Sequence, residues 1–226
     1  MKLAIMQPYF LPYIGYFQLI NAVDKYVIYD DVNHIKRGWV HRNKININGV
    51  DSWLGLSLQK ASQNKKINEI KLDPDNKWKE KLLKKIEMNF CKKPFFDDTY
   101  PIIKNAIDSD YEYMWQILSK SIIDICEHLD IDTKICLSSH ITSNQELKKE
   151  ERILDICKQL EVPIYINAIN GQKLYNKEMF ASCGVELKFI KMEDLGLQNN
   201  YASILEVLMH NGKDETKKLL KNYTLV

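Results

Sequence analysis

The sequence predicts an α/β fold, a parallel-type sheet with flanking helices that carries a mainly helical insertion at about residues 75–130. Three observations lead there. The chain opens as strand, helix, strand, with polar residues at both strand ends, the layout of a carboxyl-edge ligand site. Its last hundred or so residues alternate strand-like and helix-like segments, the rhythm of βαβ units in a parallel sheet. Between these regions apolar residues recur at helical spacing. Residues 1–226 are expected to form one such domain.

Taken in order, Leu3 to Met6 is a short apolar strand that runs into a loop with Gln7, Pro8 and Pro12. A helix-like segment leads to a second strand, Tyr26 to Tyr29, closed by Asp30 and Asp31. KININGV and DSWLGLSL read as a hairpin turned at Asn48-Gly49, because that dipeptide accepts the positive φ angles of a tight turn. The polar stretch that follows reads as loop, with one short strand at Ile67 to Leu72. Asp75 or Asn76 caps WKEKLLKKIEMNF, Pro94 stops it, and PIIKNAI starts a helix with proline in its first turn. A third helix is expected from about Tyr111 to Leu129. Then come strand TKICLSS, helix ELKKEERILDICKQL, strand PIYINAI, helix KEMFASC and strand VELKFIK. Two closing helices, YASILEVLMHN and ETKKLLKNY, are separated by Gly212.

Composition narrows the class. Hydrophobic residues make up 45% and charged residues 27%, with a net charge of +2, so no global field points to nucleic acid or a membrane. Five cysteines without a C-x-x-C pair fit reduced thiols. The apolar start is broken by Gln7 and Pro8, unlike a signal peptide, and no window offers the roughly 18 apolar residues of a membrane span. A cytoplasmic protein is expected.

Candidate chemistry concentrates near the start. Two prolines stiffen the loop and can hold Gln7, Tyr9 and Tyr13 against a ligand. Asp30 and Asp31 can bind a ribose hydroxyl, chelate magnesium or act as a base, and strand alternation favours Asp31. Adjacent carboxylates on a strand point apart, so no metal site is expected. In HIKRGWVHRNK, Lys36, Arg37 and Arg42 suit phosphates, Trp39 can stack on a base or sugar ring, and Asn43 joins the same surface. His34 and His41 titrate near neutrality and either can serve as a general base. Two histidines without nearby cysteines do not make a zinc site. One short basic-aromatic patch, with no binding motif, argues against nucleic acid. Downstream, NAINGQKLY places Asn167, Gly171, Gln172 and Tyr175 between a strand and a helix, where backbone N–H groups can meet an anion. Ser203 reads equally as a helix-start residue or a ligand contact.

AIMQPYFLPYIGYFQLI, DKYVIYDDV and KRGWVHRNKI together resemble the WbqC-like family, with further echoes in ERILDIC, INAINGQKLY and SILEVLMHNG. INAING departs from the Ser-Gly loop expected at that place. The resemblance implies a bacterial protein of surface-polysaccharide or O-antigen gene clusters that modifies nucleotide-linked amino sugars, by attaching an acyl group or an amino acid such as glycine. The strand-helix-strand opening is also distantly similar to nucleotidylyltransferase-like folds and pantothenate-synthetase-like ligases. Those proteins carry H-x-G-H where this chain has Tyr13-Ile14-Gly15-Tyr16; Gly15 matches and would let a phosphate approach the backbone.

The leading expectation is therefore amide formation on a nucleotide-linked amino sugar. His34 or His41 would take the amine's proton, oriented by Asp31; Lys36, Arg37 and Arg42 would hold the diphosphate; and Gln7, Tyr9, Tyr13 and Trp39 would shape the pocket. The co-substrate would be an activated acyl donor or ATP, and a homo-oligomer is compatible with the sequence. The rivals are nucleotidyl transfer or ATP-dependent ligation, and a non-catalytic nucleotide-sugar binder.

Overall fold

In a computed structural model that describes residues 1–35 and 37–226, strand alternation divides the apolar residues between two faces of one sheet. Strands β1 (Lys2–Met6), β2 (Lys25–Ile28), β5 (Lys134–Leu137), β6 (Ile164–Ala168) and β7 (Glu186–Met192) run parallel, and β8 (Tyr223–Leu225) is antiparallel to β7. The order is β5-β2-β1-β6-β7-β8. Ala4, Tyr26, Ile28 and Ile166 face a core shared with helices α1 (Ile14–Asn21), α2 (Lys77–Phe90), α3 (Phe96–Asp108), α4 (Met114–His128) and α7 (Ile204–Leu219). Leu3, Ile5, Val27 and Tyr165 face the opposite way, against α5 (Lys149–Gln159) and α6 (Lys177–Ser182). The result is three layers, helices on both sides of a sheet buried on both faces, which is why its strands read as continuous apolar runs.

The path of the chain locates a switch point. From β1 it moves outward through β2 to β5 by way of helices on one face, then crosses by α5 on the other face to β6, on the far side of β1. The strands therefore diverge between β1 and β6, and a crevice opens at their carboxyl ends.

The Asn48-Gly49 hairpin forms as expected between β3 (Arg42–Ile47) and β4 (Val50–Gly55), with φ of 52° and 87° at the turn. Other elements depart from the sequence expectation. Ile67 to Leu72 is not a strand but a 3-10 turn at Ile67–Glu69, because Ile67 and Ile70 are both buried and their spacing of three suits a helical turn. The helix expected to start at Pro101 begins at Phe96, leaving the proline inside it. The next helix starts at Met114, since residues 111–113 run beside 70–72, where Leu72 N donates to Glu112 O at 2.8 Å. The final two helices do meet at Gly212, at φ 70° and ψ −175°. The Phe95 ring occupies the space a Cβ there would need. The second of them stops at Leu219, short of the expected end, and β8 follows. Buried Gln18 marks that change by donating from Nε2 to Leu219 O at 2.8 Å and Asn222 O at 3.1 Å. Among the described residues, no helix is long and apolar enough to cross a membrane.

Candidate functional site

A cavity of about 650 Å³ occupies the switch point. Its floor is the end of β1 and β6, with Gln7 on one side and Asn167 and Gly171 on the other. Its walls are unusually rich in phenols, with Tyr9, Tyr13 and Tyr29 set near Tyr175 and Tyr201. No Asp, Glu, Lys, Arg or His side chain lines it among the described residues. A site of this size takes a drug-sized ligand, and its chemistry is that of neutral donors and acceptors.

Burial fixes the protonation of those walls. Desolvation pushes the Tyr13 phenol up to about 12, helped by Tyr201 and Tyr9 nearby. Tyr29 also rises to about 12 through burial, against the opposing pull of Arg152. Tyr9 and Tyr175 are raised for the same leading reason. At neutral pH these groups are hydrogen-bond donors rather than bases. Gln7 Oε1 complements them, because it is buried without a hydrogen-bond partner among the described residues. An acceptor left in that state costs roughly 1–3 kcal/mol until something donates to it.

The loop that carries Gln7 and Tyr13 is held under strain. Leu11 is buried at φ 44°, a left-handed conformation that costs a leucine roughly 1–2 kcal/mol. Two distant side chains converge on its carbonyl oxygen: Asn43 Nδ2 donates at 2.6 Å and Ser203 Oγ at 2.8 Å. Asn43 also donates to Phe10 O at 3.2 Å. Ser203 accepts from Leu205 N at 3.3 Å as the cap of α7, and Ile204 N donates to Pro12 O at 2.8 Å. Tyr16 reinforces the start of the loop by donating from its hydroxyl to Gln7 O at 3.0 Å. Ser203, 1% exposed, is thus a cap and a clamp at once and does not line the cavity.

Gly15 lies on the cavity wall, yet the reason it must be glycine differs from the expected one. A Cβ there would lie 2.3 Å from Tyr13 Cε2, so the ring of Tyr13, not a phosphate, takes the space above it. Gly171 is similar: the Asn167 side chain packs where its Cβ would be, at 3.1 Å. Asn167 in turn donates to the Tyr165 hydroxyl at 3.1 Å and accepts from Ala168 N at 2.7 Å.

The expected reactive residues lie apart from this cavity. Asp31 accepts from Arg152 Nη2 at 2.9 Å and from the Ser138 hydroxyl, and both members of the ion pair are 3% exposed. Neighbouring Asp30 accepts from the Ser139 amide at 3.0 Å and its hydroxyl at 2.7 Å. These carboxylates tie β2 to the end of β5 and to α5, and no hydrogen bond joins Asp31 to a histidine among the described residues. His34 and His41 pack against each other with ring centroids 5.2 Å apart, and neither lines the cavity. Burial lowers both, His41 to about 4 with His34 and Arg42 contributing. Arg42 is likewise occupied: it donates to Arg37 O at 3.1 Å and Gly38 O at 3.4 Å, and its guanidinium lies 4.2 Å from the Trp53 ring centroid. Arg37 is exposed, Trp39 and Asn43 line the cavity, and Lys36 lies outside the described residues.

Several participants carry no local sequence signal. Arg152 looks like one more polar residue on an amphipathic helix until Asp31 meets it. Tyr29 reads as a strand end and Tyr201 as the first residue of a closing helix, which in the structure begins only at Ile204. No group of three or more His, Cys, Asp or Glu is placed to hold a metal among the described residues.

The fold and cavity define a class: a doubly wound α/β protein with a cavity at the carboxyl edge of its sheet. Within that class the chain belongs to the WbqC-like protein family, whose sequence model matches residues 7–218. It is similar to the uncharacterized protein Rv1507c of Mycobacterium tuberculosis, at 26% identity over 190 residues, 82% of this chain and 80% of that protein. No solved structure matches it, so the distant likeness to nucleotidylyltransferase-like folds rests on sequence alone.

Proposed function

We propose that this protein binds a nucleotide-linked amino sugar in bacterial surface-polysaccharide metabolism and transfers an acyl or aminoacyl group to the sugar nitrogen. The observation that carries the reading is the uncharged, phenol- and amide-lined cavity at the switch point, with the unpartnered Gln7 Oε1 in its wall. A polyhydroxylated ring offers the donors and acceptors such walls need, whereas a bare phosphate would be buried there without a cation. Membership of the WbqC-like family supports the polysaccharide setting.

The chemistry follows from the phenols. A neutral sugar amine attacks the carbonyl of an activated acyl donor, a C–N bond forms, and the carbonyl oxygen becomes an oxyanion. Tyr9 or Tyr13, kept protonated by burial, donates to that oxygen. Collapse breaks the bond to the donor's leaving group, which takes up the proton released by nitrogen. His34 and His41 are not needed at the reacting atoms in this scheme. Their role as base is replaced by an amine that enters unprotonated.

Thermal-shift screening against UDP-, GDP- and dTDP-linked amino sugars tests binding, since a bound ligand raises the melting temperature by mass action. Mass spectrometry after addition of thioester and aminoacyl donors then tests for the N-acylated sugar. Binding that Gln7→Ala abolishes is the expected result; no shift with any amino sugar overturns the reading.

One observation favours a second reading, a binding protein without catalysis. No histidine, carboxylate or amine side chain lines the cavity among the described residues. That reading expects tight binding with no product from any donor.

A further inference from the structure

The cavity is uncharged, yet a nucleotide sugar carries a diphosphate and a base that must lie somewhere. The rim offers a place. Ile35 and Trp39 line the cavity and are 52% and 48% exposed, and Trp39 leads outward to Trp53, whose ring centroid is 5.7 Å away at a tilt of 34°. Trp53 is 44% exposed and lies outside the cavity. Two neighbouring indoles left nearly half in water at a cavity mouth forgo substantial burial, and such exposed apolar surface marks a binding site.

The pair is also held in place. Arg42 spans the back of the loop, bonding the carbonyls of Arg37 and Gly38 while its guanidinium packs on the Trp53 ring. Lys85 Nζ donates to Trp53 O at 2.8 Å. Phe10 N donates to Val40 O at 2.9 Å, joining the loop behind Trp39 to the Gln7–Tyr13 segment. Arg37, between Ile35 and Trp39 in sequence, is exposed and takes part in none of the ion pairs among the described residues.

Resting on the nucleotide-sugar reading above, we propose that Trp39 and Trp53 form a second subsite, continuous with the cavity, that stacks the planar base of the nucleotide. The order of parts follows from charge. The neutral sugar enters the phenol-lined cavity, the diphosphate stays at the rim beside Arg37, and the base beyond it meets the two indoles. A base suits this surface because it is flat and aromatic, like the indoles it would stack on.

The test is calorimetry on the full chain, comparing wild type with Trp53→Ala and Trp53→Phe. The probes are UDP-glucosamine and GDP- and dTDP-linked amino sugars with a free amine, the matching nucleoside diphosphates, and glucosamine 1-phosphate. Melting curves confirm that both variants fold. Base stacking predicts that Trp53→Ala weakens nucleotide sugars and nucleoside diphosphates by about tenfold or more. Trp53→Phe keeps most of the affinity, and the sugar phosphate binds as before. Unchanged affinity for nucleotide sugars in Trp53→Ala overturns the subsite and leaves the cavity reading standing. An equal loss for the sugar phosphate overturns the base assignment, since the indoles would then serve the sugar. Trp53-dependent binding of nucleoside diphosphates without any sugar binding supports the subsite and removes the amino-sugar reading. No binding by any probe overturns both.

Discussion

Removing both donors to the Leu11 carbonyl is expected to cost more than the sum of the two single losses. Ser203→Ala deletes one donated bond, 2.8 Å to Leu11 O, together with the cap of α7, and should destabilise the protein by about 1–2 kcal/mol. Asn43→Ala deletes the bonds to Leu11 O at 2.6 Å and Phe10 O at 3.2 Å, and the one its side chain accepts from Lys44 N at 2.8 Å. About 2–3 kcal/mol is expected there. In either single variant the Leu11 oxygen keeps one donor. In the double variant this buried oxygen loses both, and the left-handed Leu11 at φ 44° loses its restraint. The excess over additivity should be about 1 kcal/mol or more. Urea unfolding followed by circular dichroism, with the slopes compared, measures all four corners of the cycle. Additivity within about 0.5 kcal/mol would show that the two clamps act independently and do not share one strained carbonyl.

Other expectations concern the ion pair, the helix start and the histidines. Arg152→Met leaves Asp31 buried without its cation and should cost about 3–5 kcal/mol, part of which a second change, Asp31→Asn, restores; chemical denaturation reads both. Gly15→Ala gains helix propensity worth about 1 kcal/mol, but its methyl meets the Tyr13 ring at 2.3 Å. The half-buried Tyr13 ring must move to admit it, so the melting temperature should fall and nucleotide-sugar affinity with it; an unchanged or raised melting temperature would refute the packing reason for glycine. His41 has a folded pKa of about 4, below its unfolded value of about 6.5, so the unfolded chain binds more protons across that window. Stability should therefore drop as pH falls from about 6.5 to about 4. His41→Gln should flatten that part of a pH series of melts.

What could be read in the sequence was local. The apolar run Leu3 to Met6 marks a strand without reference to anything else, and Asn48-Gly49 specifies its turn by itself. The carboxyl-edge location of Gln7 and Gly171 followed from the order of strands and helices. What could not be read depends on partners far along the chain. Asp31 meets Arg152 across 121 residues and Leu11 meets Ser203 across 192. Without those partners a carboxylate looks like a reagent, and a serine has two equal readings. Arg42 shows the same limit: its charge suggests phosphate, but the loop carbonyls and the Trp53 ring engage it first. Burial is equally non-local, and it keeps the phenols of the cavity protonated and the imidazoles neutral.

The walls of the cavity come from segments as far apart as Gln7 and Tyr201. Contacts of such sequence separation form late, because the loops between them must close before any contact rewards the entropy lost. The cavity should therefore be among the last parts of the molecule to assemble, and no fragment lacking either end of that span should reproduce it. Occupancy would then report on the whole chain: a ligand would slow amide exchange throughout the central strands and not just around its own contacts.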